Sequence, residues 1–311
     1  MPLRATLFIT LLALAPALLL RAQNITVPVS RWGPEDEIGA ANRLTSQKVL
    51  EASNLITTGK TYRLGIPVSS STPAFEHRFM AITVMMPGQA EGETLGDNLV
   101  SYCDDMFNGW LGIGTQLDSL AHLGVNSTFY NGNRARDFVQ VTGVTKLGIE
   151  KIPPIVTRGV LLDMVKQKGE MLEGDIITAD DVERAQEAQG VKIKEGDVVL
   201  FHTGWMPLLY TDPQRFGTGW PGIDAGAAEY LAGLNVVAVG ADTIGLEAVP
   251  FRTTRVFEAH QVLLAVNGIY ILETIDTREL IKDGVKEFLF VLGQTLLVGA
   301  VQAIINPVAI G

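Results

Sequence analysis

Gly112-Ile-Gly-Thr-Gln-Leu-Asp-Ser-Leu-Ala-His122 is the stretch from which the rest of this chain is best read. Gln116 and Asp118 are two positions apart, so on an extended backbone their side chains face the same way. Asp118 and His122 are four apart, so one helical turn would stack them. A strand running into a helix start would therefore bring an amide, a carboxylate and an imidazole to one point. Asp and His so placed suit a divalent cation with a proton-transfer partner beside it. An N-capping Asp followed by a hydrogen-bonded core histidine fits the same spacing, and no stringent metal motif occurs. Spacing alone leaves both readings open.

Composition narrows the function classes. The 311 residues carry 24 Lys and Arg against 34 Asp and Glu, a net charge of -10. That balance argues against nucleic acid and anionic membrane surfaces as partners. The lone Cys103 cannot form an intramolecular disulfide, so stability must come from an apolar core. Arg4, the apolar run Ala5 to Leu20 and the exit Arg21-Ala22-Gln23 have signal-peptide anatomy. The expectation is a signal peptide over 1–23, export to a periplasmic or extracellular space, and no stable membrane insertion after cleavage. An uncleaved anchor is the alternative. Residues 24–311 then form one domain, about 290 residues being enough for a sizeable core.

Strands and helices alternate in the second half, which predicts an α/β fold. Gly159 to Met164, Val198 to His202, Val236 to Ala241 and Ile269 to Leu272 read as buried strands. Thr178 with Asp181 at capping-box spacing opens a helix closed by Gly190, and Asp224 opens another. In the first half, Thr45 to Ile56 reads as a helix, Thr61 to Val68 and Ala81 to Met86 as strands, the second nearly all buried. His260 falls in a helix-like stretch, Val256 to Val266, and Glu273 ends a strand. The uncharged run Phe288 to Gly311 is interrupted by Gly293, Gln294, Gly299, Gln302, Asn306 and Pro307, so it reads as two core strands joined by turns. Trp110, Phe129 and Tyr130 flank the motif and, with Trp205 and Trp220, are candidates to wall an apolar substrate pocket; core packing explains each equally well.

Gly114-Thr-Gln-Leu-Asp-Ser-Leu-Ala-His122 resembles the signature of the cyclase family, His-x-Gly-Thr-His-x-Asp-x-x-x-His. This family of metal-dependent hydrolases includes bacterial kynurenine formamidase and isatin hydrolase. Arg31-Trp-Gly-Pro-Glu-Asp-Glu-Ile-Gly-Ala-Ala-Asn42 and Phe129-Tyr-Asn-Gly132 are similar to segments of one branch. Gly240-Ala-Asp-Thr243, His260 with Glu273, and Asn306-Pro-Val-Ala-Ile310 follow in family-like order. The resemblance implies a swivelling β/β/α single domain with a mixed, largely buried sheet, and a homo-oligomer. It also implies Asp118 as a metal ligand, His122 as the catalytic histidine, and His260 with Glu273 at a second metal position. Two family histidines fall here on Gly112 and Gln116. Glycine offers no ligand and a Gln oxygen is harder than imidazole, so a site of Gln116, Asp118, His260 and Glu273 shifts the balance from Zn toward Mn.

The expected function is arylformamidase-like: metal-assisted hydrolysis of a small amide, lactam or lactone, with His122 as general acid and base. The alternative is a metal-poor relative that binds a small ligand without turnover. A serine hydrolase lacks support because no Gly-x-Ser-x-Gly elbow occurs.

Overall fold

Four parallel strands form the middle of the structure: Ile155–Asp163, Val198–His202, Ala238–Ala241 and Tyr270–Glu273. The last three are buried throughout. Strands covered on both faces have no reason to alternate polar and apolar residues, which is why these read as unbroken apolar runs. The computed structural model describes residues 25–86 and 92–311, so the signal segment expected over 1–23 lies outside the described residues.

Antiparallel strands extend both sides to give a nine-stranded mixed sheet. Beside Ile155–Asp163 lie Glu287–Leu292, Val308–Ile310 and, at the edge, Thr61–Arg63. Beside Tyr270–Glu273 lie Gln116–Asp118 and then Gln302–Ile304. The fold is thus α/β with a mixed, largely buried sheet. The uncharged C-terminal run supplies three strands where two were expected: Glu287–Leu292, which starts one residue before it, Gln302–Ile304 and Val308–Ile310. No helix among the described residues is long and apolar enough to cross a membrane.

Helix ends follow the local chemistry. Thr178 and Asp181 form a full capping box at the start of Ala179–Gln189, and Gly190 ends the helix at φ 66°. Val182 and Ala185 of this helix are fully buried in the main core. Asp224 caps Ala225–Gly233 through the Ala227 amide at 2.8 Å.

Three expectations need correction. The strand expected over Thr61 to Val68 is confined to Thr61–Arg63. The helix expected over Val256 to Val266 is one α-helical turn, Glu258–His260, followed by a π-helix, Gln261–Val266. The strand expected to be buried from Ala81 is Met80–Met85, which pairs only with Asp104–Gly109 and leaves Ile82, Val84, Met85, Met106 and Phe107 exposed. Its apolar run fits a strand but lacks a covering layer, so composition gave the element and misjudged its environment.

Asp181 also ties this helix to Met164–Lys168. Its carboxylate accepts from Lys168 Nζ and Arg184 Nη2, each at 2.6 Å. Burial alone would raise its pKa, but the Lys168, Thr178 and Arg184 hydrogen bonds outweigh burial and hold it well below the usual carboxylate range. Asp181→Ala should cost about 2 kcal/mol at neutral pH, the scale of hydrogen bonds to a charged group. Because the folded pKa is depressed, the wild-type advantage is complete above the carboxyl's ordinary value of 3.8 and is lost as pH falls below it. Denaturant melts of both proteins at pH 7 and near pH 3 check the size and the narrowing of the gap.

Candidate metal centre

The centre is built by strand register. Gln116 lies opposite Glu273, and Asp118 lies opposite Gln302 on its other neighbour. Side chains paired across antiparallel strands share a face, and Gln116 and Asp118 share one by their spacing. Three strands therefore present two carboxylates and two amides to one place. The backbone beneath them is pinned by Thr115, whose hydroxyl donates to the Thr274 carbonyl at 2.6 Å and accepts from the Ile66 amide at 3.0 Å. Gly114, at φ 63°, makes the turn into this strand where an added Cβ would strike Val68.

After Asp118 the chain makes a tight turn where a helix was expected. The His122 amide donates to the Ser119 carbonyl at 3.0 Å. The turn still brings His122 Nε2 to 3.9 Å from Asp118 Oδ2. His260 arrives from the opposite side, its Nε2 at 3.9 Å from the same oxygen and 3.2 Å from Glu273 Oε1. Asp118, His260 and Glu273 each offer a ligand atom, and these atoms lie within 4.8 Å of one another. All four residues proposed as ligands, with His122, thus converge.

Two members of the centre were not singled out from sequence. Glu247 accepts from both the backbone amide of His260 at 2.7 Å and its Nδ1 at 2.9 Å. A carboxylate on one imidazole nitrogen fixes the tautomer and presents the other nitrogen to a cation. Gln302 donates from Nε2 to Asp118 Oδ1 at 2.7 Å. Its only sequence signal is a polar residue in an otherwise apolar strand. Gln116 likewise donates from Nε2 to Glu273 Oε2 at 2.5 Å.

The electrostatics favour a cation. Asp118, Glu247 and Glu273 are all buried beside one buried histidine. Burial and then the neighbouring Asp118 raise the Glu273 carboxyl above its ordinary range. Burial would lower the His260 pKa, but hydrogen bonds to Glu247 and Glu273 push it up to about 10. Asp118 Oδ2 is buried and has no hydrogen-bond partner. An unsatisfied buried carboxylate oxygen is costly, and a divalent ion is the partner for which Asp, His and Glu donors fit.

Beside the centre lies a cavity of about 200 Å³, lined by His122, His260 and Glu273 and walled by Phe75, Trp220 and Phe257, with Arg78 also facing it. Phe257 holds a left-handed conformation, φ 52°, and its ring meets His260 edge-on at 5.3 Å. Of the five aromatic residues expected at the substrate pocket, Trp220 lines this cavity and the other four do not. Trp205 is buried in a small side core, and Phe129 packs on Phe138 at 5.4 Å. Trp110 is exposed, with its ring 5.8 Å from His77. Tyr130 donates to Asp36 at 2.6 Å and lines a different cavity of about 540 Å³ with Arg31, Trp32 and Arg43. Nearness to the motif in sequence did not carry these rings to the cavity side of the sheet. His202 and Asp242, at neighbouring strand ends, interact with each other at 3.4 Å. Asp242 also takes the amides of Thr203 and Gly204, as a strand-end acid tying down a turn.

Comparison with known proteins agrees with this architecture. A crystal structure described as a novel cyclase is 32% identical, covers 90% of this chain and 96% of its own, and superposes with a TM-score of 0.82. Isatin hydrolase A from Ralstonia solanacearum shares the fold at 20% identity and a TM-score of 0.62, over 86% of this chain and 97% of its own. A Bacillus stearothermophilus protein described as a predicted metal-dependent hydrolase does so at 20% identity and 0.54, over 80% and 97%. No curated protein matches. The sequence model of the Cyclase family matches residues 62–248, which include Gln116, Asp118 and His122. On the extent of that match and the 32% identity over nearly the whole chain, this protein belongs to the cyclase family.

Proposed function

We propose that the chain is a metal-dependent hydrolase of a small amide, lactam or lactone. The observation that carries this reading is the buried, unpartnered Asp118 Oδ2, lying 3.9 Å from His122 and from His260, both of which line a cavity. Asp118, His260 and Glu273 would hold the ion, while Gln116, expected as a fourth ligand, is engaged through its amide to Glu273; Mn fits this oxygen-rich set better than Zn. A bound divalent ion supplies Lewis-acid polarisation and makes water a stronger acid.

The chain's own residues do the rest. His122 faces the cavity and is a fifth exposed in its side chain, whereas Asp118 is fully buried. His122 is therefore the group placed to take a proton from an attacking water and return it to the leaving nitrogen or oxygen. Phe75, Phe257 and Trp220 exclude water and offer faces to a ring. A cavity of about 150 Å³ accepts benzene, so about 200 Å³ suits one ring with a small substituent. N-formylkynurenine, isatin and simple lactones are the substrates to try.

Export is proposed from the segment over 1–23. A homo-oligomer is proposed as well, since the hairpin Met80–Met85 and Asp104–Gly109 exposes many apolar side chains that a second copy would cover. The runner-up, a binder without turnover, has the two amides at Gln116 and Gln302 in its favour.

Hydrolysis that disappears with chelator and returns with Mn or Zn is the expected result; no metal uptake and no turnover would favour the binder. His122→Ala should fold and lose roughly a hundred- to ten-thousand-fold in kcat, the usual worth of positioned proton transfer. An unchanged kcat would remove His122 from the reaction. Affinity for the ion should also depend on pH. The His260 pKa is raised to about 10, so at neutral pH its proton must leave before Nε2 can meet a cation. Affinity measured by calorimetry at constant ionic strength should therefore rise with pH above neutrality, and a flat profile would show that no proton leaves on binding.

A further inference from the structure

Asp118 and Glu273 each have one oxygen taken by a side-chain amide. Gln302 Nε2 donates to Asp118 Oδ1 at 2.7 Å, and Gln116 Nε2 donates to Glu273 Oε2 at 2.5 Å. A carboxylate only accepts, so the amide nitrogen must be the atom facing it in both pairs. The oxygens turned to the gap shared with His260 Nε2 are Asp118 Oδ2, which has no hydrogen-bond partner, and Glu273 Oε1, which also accepts from the Leu246 amide at 3.1 Å. An acid that bridges two cations through both of its oxygens needs each of them free, and an amide N–H pointing at one of them closes that mode.

Gly112 explains how Gln302 comes to be there. A Cβ built on Gly112 would lie 2.3 Å from Gln302 Oε1 and 2.6 Å from its Cδ and Nε2. Any side chain at position 112 and the present place of the Gln302 amide exclude each other. Gln302 is 7% exposed, so the amide has little room to move aside without leaving Asp118.

We infer that Gln116 and Gln302 restrict this centre to a single divalent cation, and that Gln302, in the space left by Gly112, is a positioning residue that aims Asp118 Oδ2 at it. The inference rests on the reading of Asp118, His260 and Glu273 as a cation site. It adds two things: a stoichiometry, and a coupling between Gly112 and Gln302.

The first test measures metal per chain in the intact wild-type protein. The protein is stripped with chelator, dialysed against excess Mn and assayed by elemental analysis. One equivalent is expected. Two equivalents would overturn the single-ion assignment and leave the cation site standing, whereas none would remove the cation site itself and the assignment with it. The second test is a double-mutant cycle in Mn affinity, read by calorimetry on protein whose circular dichroism matches the wild type. Gln302→Met keeps the bulk and removes the donor, and should weaken binding about tenfold, the lower end for loss of a group orienting a metal ligand. Gly112→Ala should weaken it by a similar factor by displacing the amide. The double variant should be no weaker than Gln302→Met alone, because both changes remove one contact. Wild-type affinity in Gln302→Met, or losses that multiply in the double variant, would refute the positioning role.

Discussion

The centre depends on a single register: the short strand Gln116–Asp118 lying between Tyr270–Glu273 and Gln302–Ile304. A slip of one residue would turn Gln116 and Asp118 to the other face of the sheet and replace them with Leu117. The register is fixed at both ends by bonds outside the ladder. The Ile305 amide donates to the Thr115 carbonyl at 2.9 Å, and the Ser119 amide donates to the Val301 carbonyl at 3.0 Å. Strands of three residues would be weak alone, but here Leu117 is fully buried in the main core and holds the strand against its neighbours. Packing sets the position, and position sets the chemistry.

That chemistry runs against the ordinary stability of a protein interior. Three buried carboxylates around one imidazole repel one another, and the burden falls on Glu273, whose carboxyl is pushed up by burial and by Asp118. The surroundings reduce the cost in neutral ways. Two amides and the Leu246 backbone N–H donate to these acids, and His260 stands between Glu247 and Glu273. Hydrogen bonds to buried ions offset part of their desolvation. The left-handed Phe257, three residues before His260, is a further local cost that the surrounding fold sustains next to its chemistry.

How much of this was legible in the sequence follows from which contacts are local. The buried parallel strands showed as apolar runs, and the capping residues Thr178 and Asp224 showed in their spacing. Asp118 and His122 were a local pair, and the resemblance to the cyclase family supplied His260 and Glu273. Gln302 meets Asp118 across 184 positions, and nothing in a polar residue within an apolar strand says which carboxylate it will face. Glu247 is a loop acid in sequence and a histidine's partner in space. Trp220 apart, the aromatic walls were misplaced for a related reason. Phe75 and Phe257 come from loops far from the motif, whereas Phe129 follows it closely but packs on the core side. Nor could apolarity alone separate a buried strand from the exposed hairpin at Met80–Met85.

In the function proposed, histidine placement gives the centre its division of labour. His260 is almost sealed, with one nitrogen held by Glu247 and the other turned to Asp118 and Glu273, so it suits holding charge in a fixed place. His122 touches the same Asp118 oxygen at the same 3.9 Å but keeps a fifth of its side chain open to the cavity. A group that exchanges protons with a substrate needs access, and a ligand needs confinement. The turn after Asp118 provides the first, and the single helical turn whose His260 is held by Glu247 provides the second. Two residues of one chemical type, at equal distance from one oxygen, are thus assigned different tasks by the elements that carry them.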